Sequence, residues 1–594
     1  MSHILFLTFY NDYSVAVNVL SSLLEDTGRK VSKVYFKLPS KKKVDWFASD
    51  TMCMEGVDAY GDIFAGNAEV NPWSTEELEL LRRLVADLSP DFLCISSRSP
   101  DREIAIDALT YIRQVFKGTI LAGGFGPTLD PETYAEYVDY VFVGEAENAI
   151  VDLIERLERK ESIEGLDNVC FKKSGTIVKN KLRLPDISLF RLHNNIDNSH
   201  YIEHGKLYDK SQRGEIVATH TYSTFFGRGC VNACTYCSAG QWSSVYRKES
   251  INIKLRRNRH LEDLYEEFER VSQIRNCTFV FFRDSFLSAP SRSLIDFFNW
   301  YEKKVAIPFW AYLVPKQILN NPEVLRAAVN AGFVDTEVGF QSGSERINKA
   351  IFRRSITLPD TLNYVNLLSE MNVNIKCDFI IFNPAEEWKD TEATIQLIQR
   401  LPQKRSYLYL PRLVHFPGTP IHEILLEAGY KERSFEYYYR NALLYLMSFA
   451  MSESELLSVM KDDAIMNSHT EMLSYYQAYL KENNIDFSIG THAVPESITS
   501  HRYKNIIQNS GYDDAIVVGD KDYYERTASA FEGINISKHL IDSSAGGVKS
   551  FDLCGSILEN DSDETPIFVC SKNKSEIKST LLTRYPESSN RVYV

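Results

Sequence analysis

Three of the chain's ten cysteines, Cys230, Cys234 and Cys237, fall within eight residues in the run GRGCVNACTYC, spaced C-x3-C-x2-C just after an apolar, strand-like stretch. Three thiolates from one loop can bind three corners of a cubane iron–sulfur cluster and leave the fourth iron without a protein ligand. Such an iron can take a substrate or cofactor, as the open position of a catalytic zinc site does. A structural zinc wants four protein ligands; no neighbouring cysteine completes the set, and His220 lies one strand-length away. The other cysteines (53, 94, 170, 277, 377, 554 and 570) stand alone, several in apolar runs where a free thiol packs as a small hydrophobe. Ten scattered cysteines in 594 residues do not make a disulfide scaffold.

The elements around that loop read as α/β. Residues 1–160 alternate short apolar strands (ILFLTF, KVYFKL, FLCIS, TILAGG, VDYVFVG) with helices, one of them opened by a Ser/Thr-x-x-Glu cap in STEELELLRRLVADL. This predicts a Rossmann-like parallel sheet with its ligand side at the strand C-terminal ends. Residues 161–214 are turn-rich and read as a connector. A second series from 215 to 430 holds six strand candidates, TYSTFFG, CTFVFFRD, PFWAYLVP, DTEVGF, IKCDFIIF and YLYLPRLVHF, mostly separated by helices, which suits a partial (β/α)6 TIM-like barrel. Residues 431–485 read as a helical, aromatic-rich segment. Residues 486–594 read as a small α/β domain of unassigned role, without a Gly-rich phosphate loop after Val518-Gly519.

With the motif placed after the first strand of a six-unit barrel, residues 215–430 resemble the radical S-adenosylmethionine (SAM) superfamily. The likeness includes Tyr236 before the last cysteine, FFRDSF (281–286), VGFQSGSERINKAIFRRSIT (338–357), IIFNPAEE (380–387) and HFPGTP (415–420). It implies a [4Fe-4S] cluster on Cys230, Cys234 and Cys237, and SAM contacts from Tyr236, Asp284, Gln341 and Ser342. The chain departs from the family pattern at Gln341, where Glu is common, and at Asn383 and Ala385, which replace glycines. A non-catalytic reading makes Asp284 a strand-end turn residue, and Gln341 and Ser342 a strand-to-loop hydrogen-bonding pair.

Residues 1–160 resemble the cobalamin-binding domain that precedes the barrel in one radical SAM class. The carried features are ISSRS (95–99), AGGFGPTLDPE (122–132) and VGEAENAI (143–150). They imply that Ser96 and Ser97 hydrogen-bond the ligand's nucleotide tail and that Gly123 and Gly124 let backbone approach it closely; any Rossmann-like sheet also uses Gly and Ser at such turns. The His-ligated motif Asp-x-His-x-x-Gly is replaced by Asp12-Tyr13-Ser14-Val15-Ala16-Val17, and a serine cannot serve as the cobalt's imidazole.

Lys+Arg number 66 against Asp+Glu 80, a net charge of −14, which argues against a broad nucleic-acid or acidic-membrane surface. No run approaches the ~18 apolar residues of a membrane helix, and the start lacks the pattern of a signal peptide; a soluble, cytoplasmic protein is expected. P-loop, GxSxG, HExxH and GxGxxG motifs are missing, as are the further three-cysteine set and terminal RNA-binding module expected of a methylthiotransferase. The resemblance implies SAM cleavage to a 5′-deoxyadenosyl radical and cobalamin-dependent C-methylation of an unactivated carbon of a small-molecule substrate, with a reducing partner such as flavodoxin or ferredoxin. The alternatives are a cobalamin-free rearrangement, oxidation or cyclisation, and a non-catalytic metal-binding scaffold.

Overall fold

The structure, a computed structural model, describes residues 2–12, 14–44, 56–185, 198–212, 220–230, 232–249, 251, 257–272, 277–285, 291–313, 315–354, 357–416, 418–487, 502–503, 514–520, 528–531, 535–542, 567–570 and 592–593. The strands of the first half are β1 (His3–Phe9), β2 (Lys30–Phe36), β3 (Lys41–Val44), β4 (Gly56–Val57), β5 (Ile63–Gly66), β6 (Phe92–Ser96), β7 (Thr119–Gly123), β8 (Tyr140–Phe142), β9 (Val169–Lys173), β10 (Thr176–Lys179), β11 (Ser199–Glu203) and β12 (Lys206–Asp209). The core of the first sheet, β8-β7-β6-β1-β2, is parallel throughout, as the alternating strand–helix pattern predicts. β1 is buried at all seven positions because helices cover both faces. The cap expected before the second helix is present: the Ser74 side chain accepts from the Glu77 N–H, and the Glu77 carboxylate accepts from the Ser74 N–H. Such a cap is worth about 1 kcal/mol.

Two parts of the sheet arrangement differ from the sequence expectation. Residues 161–214 are not only a connector: β9 and β10 extend the first sheet beyond β8, and β11 and β12 extend it beyond β2, giving nine strands. The Lys37 ammonium explains part of that attachment. It sits between Glu77 and Glu203 at 2.8 and 3.2 Å, with all three side chains at most 3% exposed. The polar excursion after β2 leaves the first sheet altogether, and its strands β3, β4 and β5 join the second one.

The second half contributes β13 (His220–Thr224), β14 (Gly227–Arg228), β15 (Arg257–Asn258), β16 (Cys277–Phe282), β17 (Phe309–Ala311), β18 (Phe333–Gln341), β19 (Asn374–Phe379) and β20 (Ser406–Pro411). β13-β16-β17-β18-β19-β20 run parallel in chain order, the six strands read from the sequence. β4 then pairs antiparallel with β20, so the first half of the chain closes one edge of the second sheet. One set of alternate residues, including Val280, Phe282, Phe309, Val338, Ile375 and Phe379, enters the main apolar core under the helices. Their neighbours on the other face include Glu337, Lys376, Asp378 and Tyr409. There Lys376 lies 2.7 Å from Glu337 and 4.0 Å from the Tyr409 ring centre.

The helix Phe435–Ala450 is buried on most sides and packs in the same core, so its aromatic content is largely structural. Strands 514–520, 535–542, 567–570 and 592–593 form a four-stranded parallel sheet. The run YYERTASAF (523–531) reads as a helix in the sequence, and most of it lies outside the described residues. Among the described residues no helix is long and apolar enough to cross a membrane.

Candidate active site

The cysteine loop leaves β14 and runs directly into the helix Ser238–Lys248, whose N-cap is Cys237. Thr235 holds the loop from beneath: its N–H donates to the Phe352 carbonyl (3.1 Å) and its hydroxyl to the Ile351 carbonyl (2.8 Å). Cys234 is buried, Cys230 and Cys237 are half-buried, and all three thiols are free. The Asn232 N–H donates to the Cys230 sulfur at 3.4 Å. Burial pushes the Cys234 and Cys237 thiols above their ordinary range; Arg354 opposes this at Cys234, and the N–H groups of Ala239 and Gly240 oppose it at Cys237. A metal binding here would therefore displace protons.

Among the described residues no three His, Cys, Asp or Glu side chains converge as ligands of one metal ion. A cubane does not require that convergence, since each thiolate serves its own iron. The donor set is three free thiols on one partly open loop, and it fits such a cluster. His220, of which only the backbone is described, belongs to β13.

Asp284 lies beside this loop, two residues past the end of β16. Its carboxylate accepts from the Phe226 N–H (2.8 Å) and the Gly227 N–H (2.7 Å), holding the backbone that leads into the cysteines. The Tyr236 hydroxyl accepts from Arg354 at 3.0 Å, and its ring packs edge-on to Phe352. Arg354 also donates to the Gly339 carbonyl at 2.6 Å, linking the cysteine loop to β18. Gln341 has φ +67°, a left-handed conformation at the strand end, and its side-chain carbonyl is buried without a partner. Its amide folds back over Gly339, where a Cβ would lie 2.3 Å from the Gln341 Nε2. Ser342 is buried, and its hydroxyl accepts from the Ser344 N–H at 3.1 Å. That hydroxyl also lies 3.4 Å from the Thr394 hydroxyl on the helix Trp388–Ile398.

Ser96, Gly123, Gly124, Asp284 and Cys230 meet in one cavity of about 370 Å³ between the C-terminal ends of the first sheet's strands and the cysteine loop. A Cβ on Gly123 would meet only Phe142, at 3.7 Å, an ordinary van der Waals contact. Gly124 has φ +106°, and a Cβ there would meet the Ser97 carbonyl at 2.5 Å. Ser97 itself is not brought to the cavity: it is buried, with its hydroxyl 2.7 Å from that of Tyr134. Ser14 caps the helix Val15–Asp26, and no histidine lines the cavity among the described residues.

Five residues to which the sequence pattern assigned no individual role tie the two halves together here. Arg228, two residues before Cys230, pairs with Glu147 at 2.5 Å and Glu145 at 3.5 Å. Arg257 pairs with Glu145 through both carboxylate oxygens. The Tyr246 hydroxyl accepts from the Glu145 N–H at 2.7 Å. Burial raises the Glu147 carboxyl's pKa, against the pull of Arg228. The run VGEAENAI marked this loop, but ion pairs between residues over eighty positions apart leave no trace in spacing.

Residues 224–398 match the Radical SAM superfamily. The chain is 20% identical over 347 residues to the bacteriochlorophyllide d C-8(2)-methyltransferase of Chlorobaculum tepidum, covering 57% of this chain and 69% of that one. A shorter stretch of 88 residues is 39% identical to the tRNA-2-methylthio-N(6)-dimethylallyladenosine synthase of Buchnera aphidicola, but spans 14% of this chain and 19% of that protein. In fold, the chain is similar to the radical SAM methyltransferase TsrM from Kitasatospora setae, solved with cobalamin and a [4Fe-4S] cluster bound (TM-score 0.53, 16% identity, 72% and 78% of the two chains). It is also similar to the cobalamin-dependent radical SAM enzyme OxsB (TM-score 0.50, 12% identity, 86% and 67% of the two chains). With its cysteine loop at the head of the matched region, this chain carries a radical SAM domain over residues 224–398.

Proposed function

We propose that this enzyme is a cobalamin-dependent methyltransferase that methylates an unactivated carbon of a small-molecule substrate. The observation that carries the reading is the single cavity shared by Cys230 and the C-terminal ends of the first sheet's strands. In an open α/β sheet that edge is where a ligand binds. The Chlorobaculum tepidum relative and TsrM are likewise methyltransferases.

When bound, the cluster, SAM and cobalamin supply radical generation and the methyl group. The chain's own residues bind, orient and exclude water. Cys230, Cys234 and Cys237 hold the cluster, and Asp284 fixes the backbone before them. Gln341, with its unpartnered carbonyl, and Tyr236 are the SAM-side residues we assign. Ser96, Gly123 and Gly124 lie where cobalamin would approach; Ser14 is a helix cap, and among the described residues no imidazole lines that space. The apolar wall from Leu121, Phe142 and Phe225 keeps water from the shared space. An external one-electron donor of the flavodoxin or ferredoxin kind supplies the reducing equivalent.

The test is cobalamin per chain after anaerobic expression with cobalamin supplied, beside iron and sulfide content. Near-stoichiometric cobalamin with a loaded cluster supports the proposal. A folded, cluster-loaded protein without cobalamin overturns it.

A further inference from the structure

We infer that Arg228 is a positioning and tuning residue for the cluster on Cys230, and that Glu147 and Glu145 of the first sheet's domain set the strength of its charge. This rests on the cluster of the proposed function. Three observations carry it.

The first is placement. Arg228, Cys230, Glu145 and Glu147 all line the one cavity, and only Gly229 separates the arginine from the cysteine. Gly229 has φ +102°, so the chain turns sharply between the two.

The second is burial. The Arg228 side chain is 20% exposed, Glu145 6% and Glu147 3%. Charges in such surroundings act over longer range than in water. Glu145 stands on the loop after β8 and Glu147 opens the helix Glu147–Glu158 that follows, so the compensating charge comes from a different domain than the cysteines.

The third is energetic. A buried ion pair contributes little to stability relative to an apolar contact of the same shape. The apolar rings around it, Phe225 and Trp242, show that such a contact was available: Arg228 lies 5.2 Å from the Phe225 ring centre and Arg257 5.9 Å from the Trp242 ring centre. The charges therefore do more than hold two domains together. A cation beside the loop favours the reduced, more negative state of a thiolate-bound cluster, and a carboxylate against that cation weakens the effect. The step affected is the one-electron reduction of the cluster from the 2+ to the 1+ state by an external low-potential donor, in which no bond forms or breaks.

The experiment is a redox titration of the cluster, followed by electron paramagnetic resonance with dithionite as reductant, on full-length anaerobic protein. Wild type, Arg228→Gln, Glu147→Gln, the double variant and Arg228→Lys are compared at equal iron and sulfide content. Arg228→Gln is expected to lower the midpoint potential and Glu147→Gln to raise it. The double variant should fall between the single variants, and Arg228→Lys should stay near wild type. Shifts of the same sign, or none, in the two single variants overturn the inference, since loosening an anchor has no reason to act in opposite directions. If Arg228→Gln does not fold, Glu145→Gln replaces it in the comparison, and failure of both glutamate variants to raise the potential overturns the inference. A wild type that folds without iron overturns the proposed function, and this inference with it.

Discussion

Gly144 and Tyr246 meet where the two halves of the chain touch: a Cβ on Gly144 would stand 2.1 Å from the Tyr246 hydroxyl, and Gly144 has φ +84°. Tyr246 is fully buried and its hydroxyl accepts from the neighbouring Glu145 N–H, so the ring cannot swing aside without losing that bond. Gly144→Ala is expected to destabilise the protein by about 1–3 kcal/mol through strain at the backbone and overpacking at the ring. Tyr246→Phe should cost about 1 kcal/mol, since it deletes the hydroxyl that accepts from the Glu145 N–H and the Asn168 amide without disturbing the packing. Thermal unfolding of the two variants checks this; an alanine variant as stable as wild type would show that the contact yields.

Replacement of any one of Cys230, Cys234 and Cys237 by alanine should abolish cluster binding, because three thiolates are the complete protein ligand set on this loop. Cys230 and Cys237 are half-buried, so the corresponding variants should still fold. Iron and sulfide analysis beside circular dichroism distinguishes the two effects. A fully loaded Cys237→Ala variant would remove that residue from the ligand set.

Gln341→Ala should weaken SAM binding to the cluster-loaded enzyme by roughly threefold to tenfold, the range of one hydrogen bond. The same change should leave stability unchanged or raise it slightly, since it deletes a buried carbonyl that has no partner. Equilibrium binding of SAM and a melting curve give both numbers. Unaltered affinity would return Gln341 to a local strand-end role.

Acidic conditions should favour the fold through Glu386. Burial raises its carboxyl from the ordinary 4.5 to about 7, and the Tyr445 hydroxyl donates to it at 2.6 Å. The folded chain keeps a proton that the unfolded chain releases near pH 4.5, so this group's contribution declines from pH 4.5 to about 7 and is flat above. The amount at stake is roughly 3 kcal/mol. Asp335 is raised to about 7, also by burial, and acts in the same direction. Glu386→Gln should flatten the fall in unfolding temperature between pH 5 and 7 (roughly the window set by these values). An unchanged slope would show that Glu386 stays ionised in the fold.

The sequence by itself determined what depends on short-range order. The cysteine spacing, the capping box at Ser74 and Glu77, and the six parallel strands of the second sheet all follow from spacing or from runs of apolar residues. That Ser96, Gly123 and Gly124 stand at strand ends was also legible, because tight turns there restrict residue type.

Only the tertiary structure decided which loops face each other. Ser97 sits next to Ser96 in the chain, yet the pleat sends its hydroxyl to Tyr134 and away from the cavity. The excursion after β2 reads as a polar loop but completes the second sheet by pairing β4 with β20, more than 340 residues away. Arg228 and Glu147 are ordinary surface-type residues in sequence. They become a buried pair because two separately patterned domains dock at that point, and electrostatic complementarity across such a contact has no period, spacing or composition through which a chain could announce it.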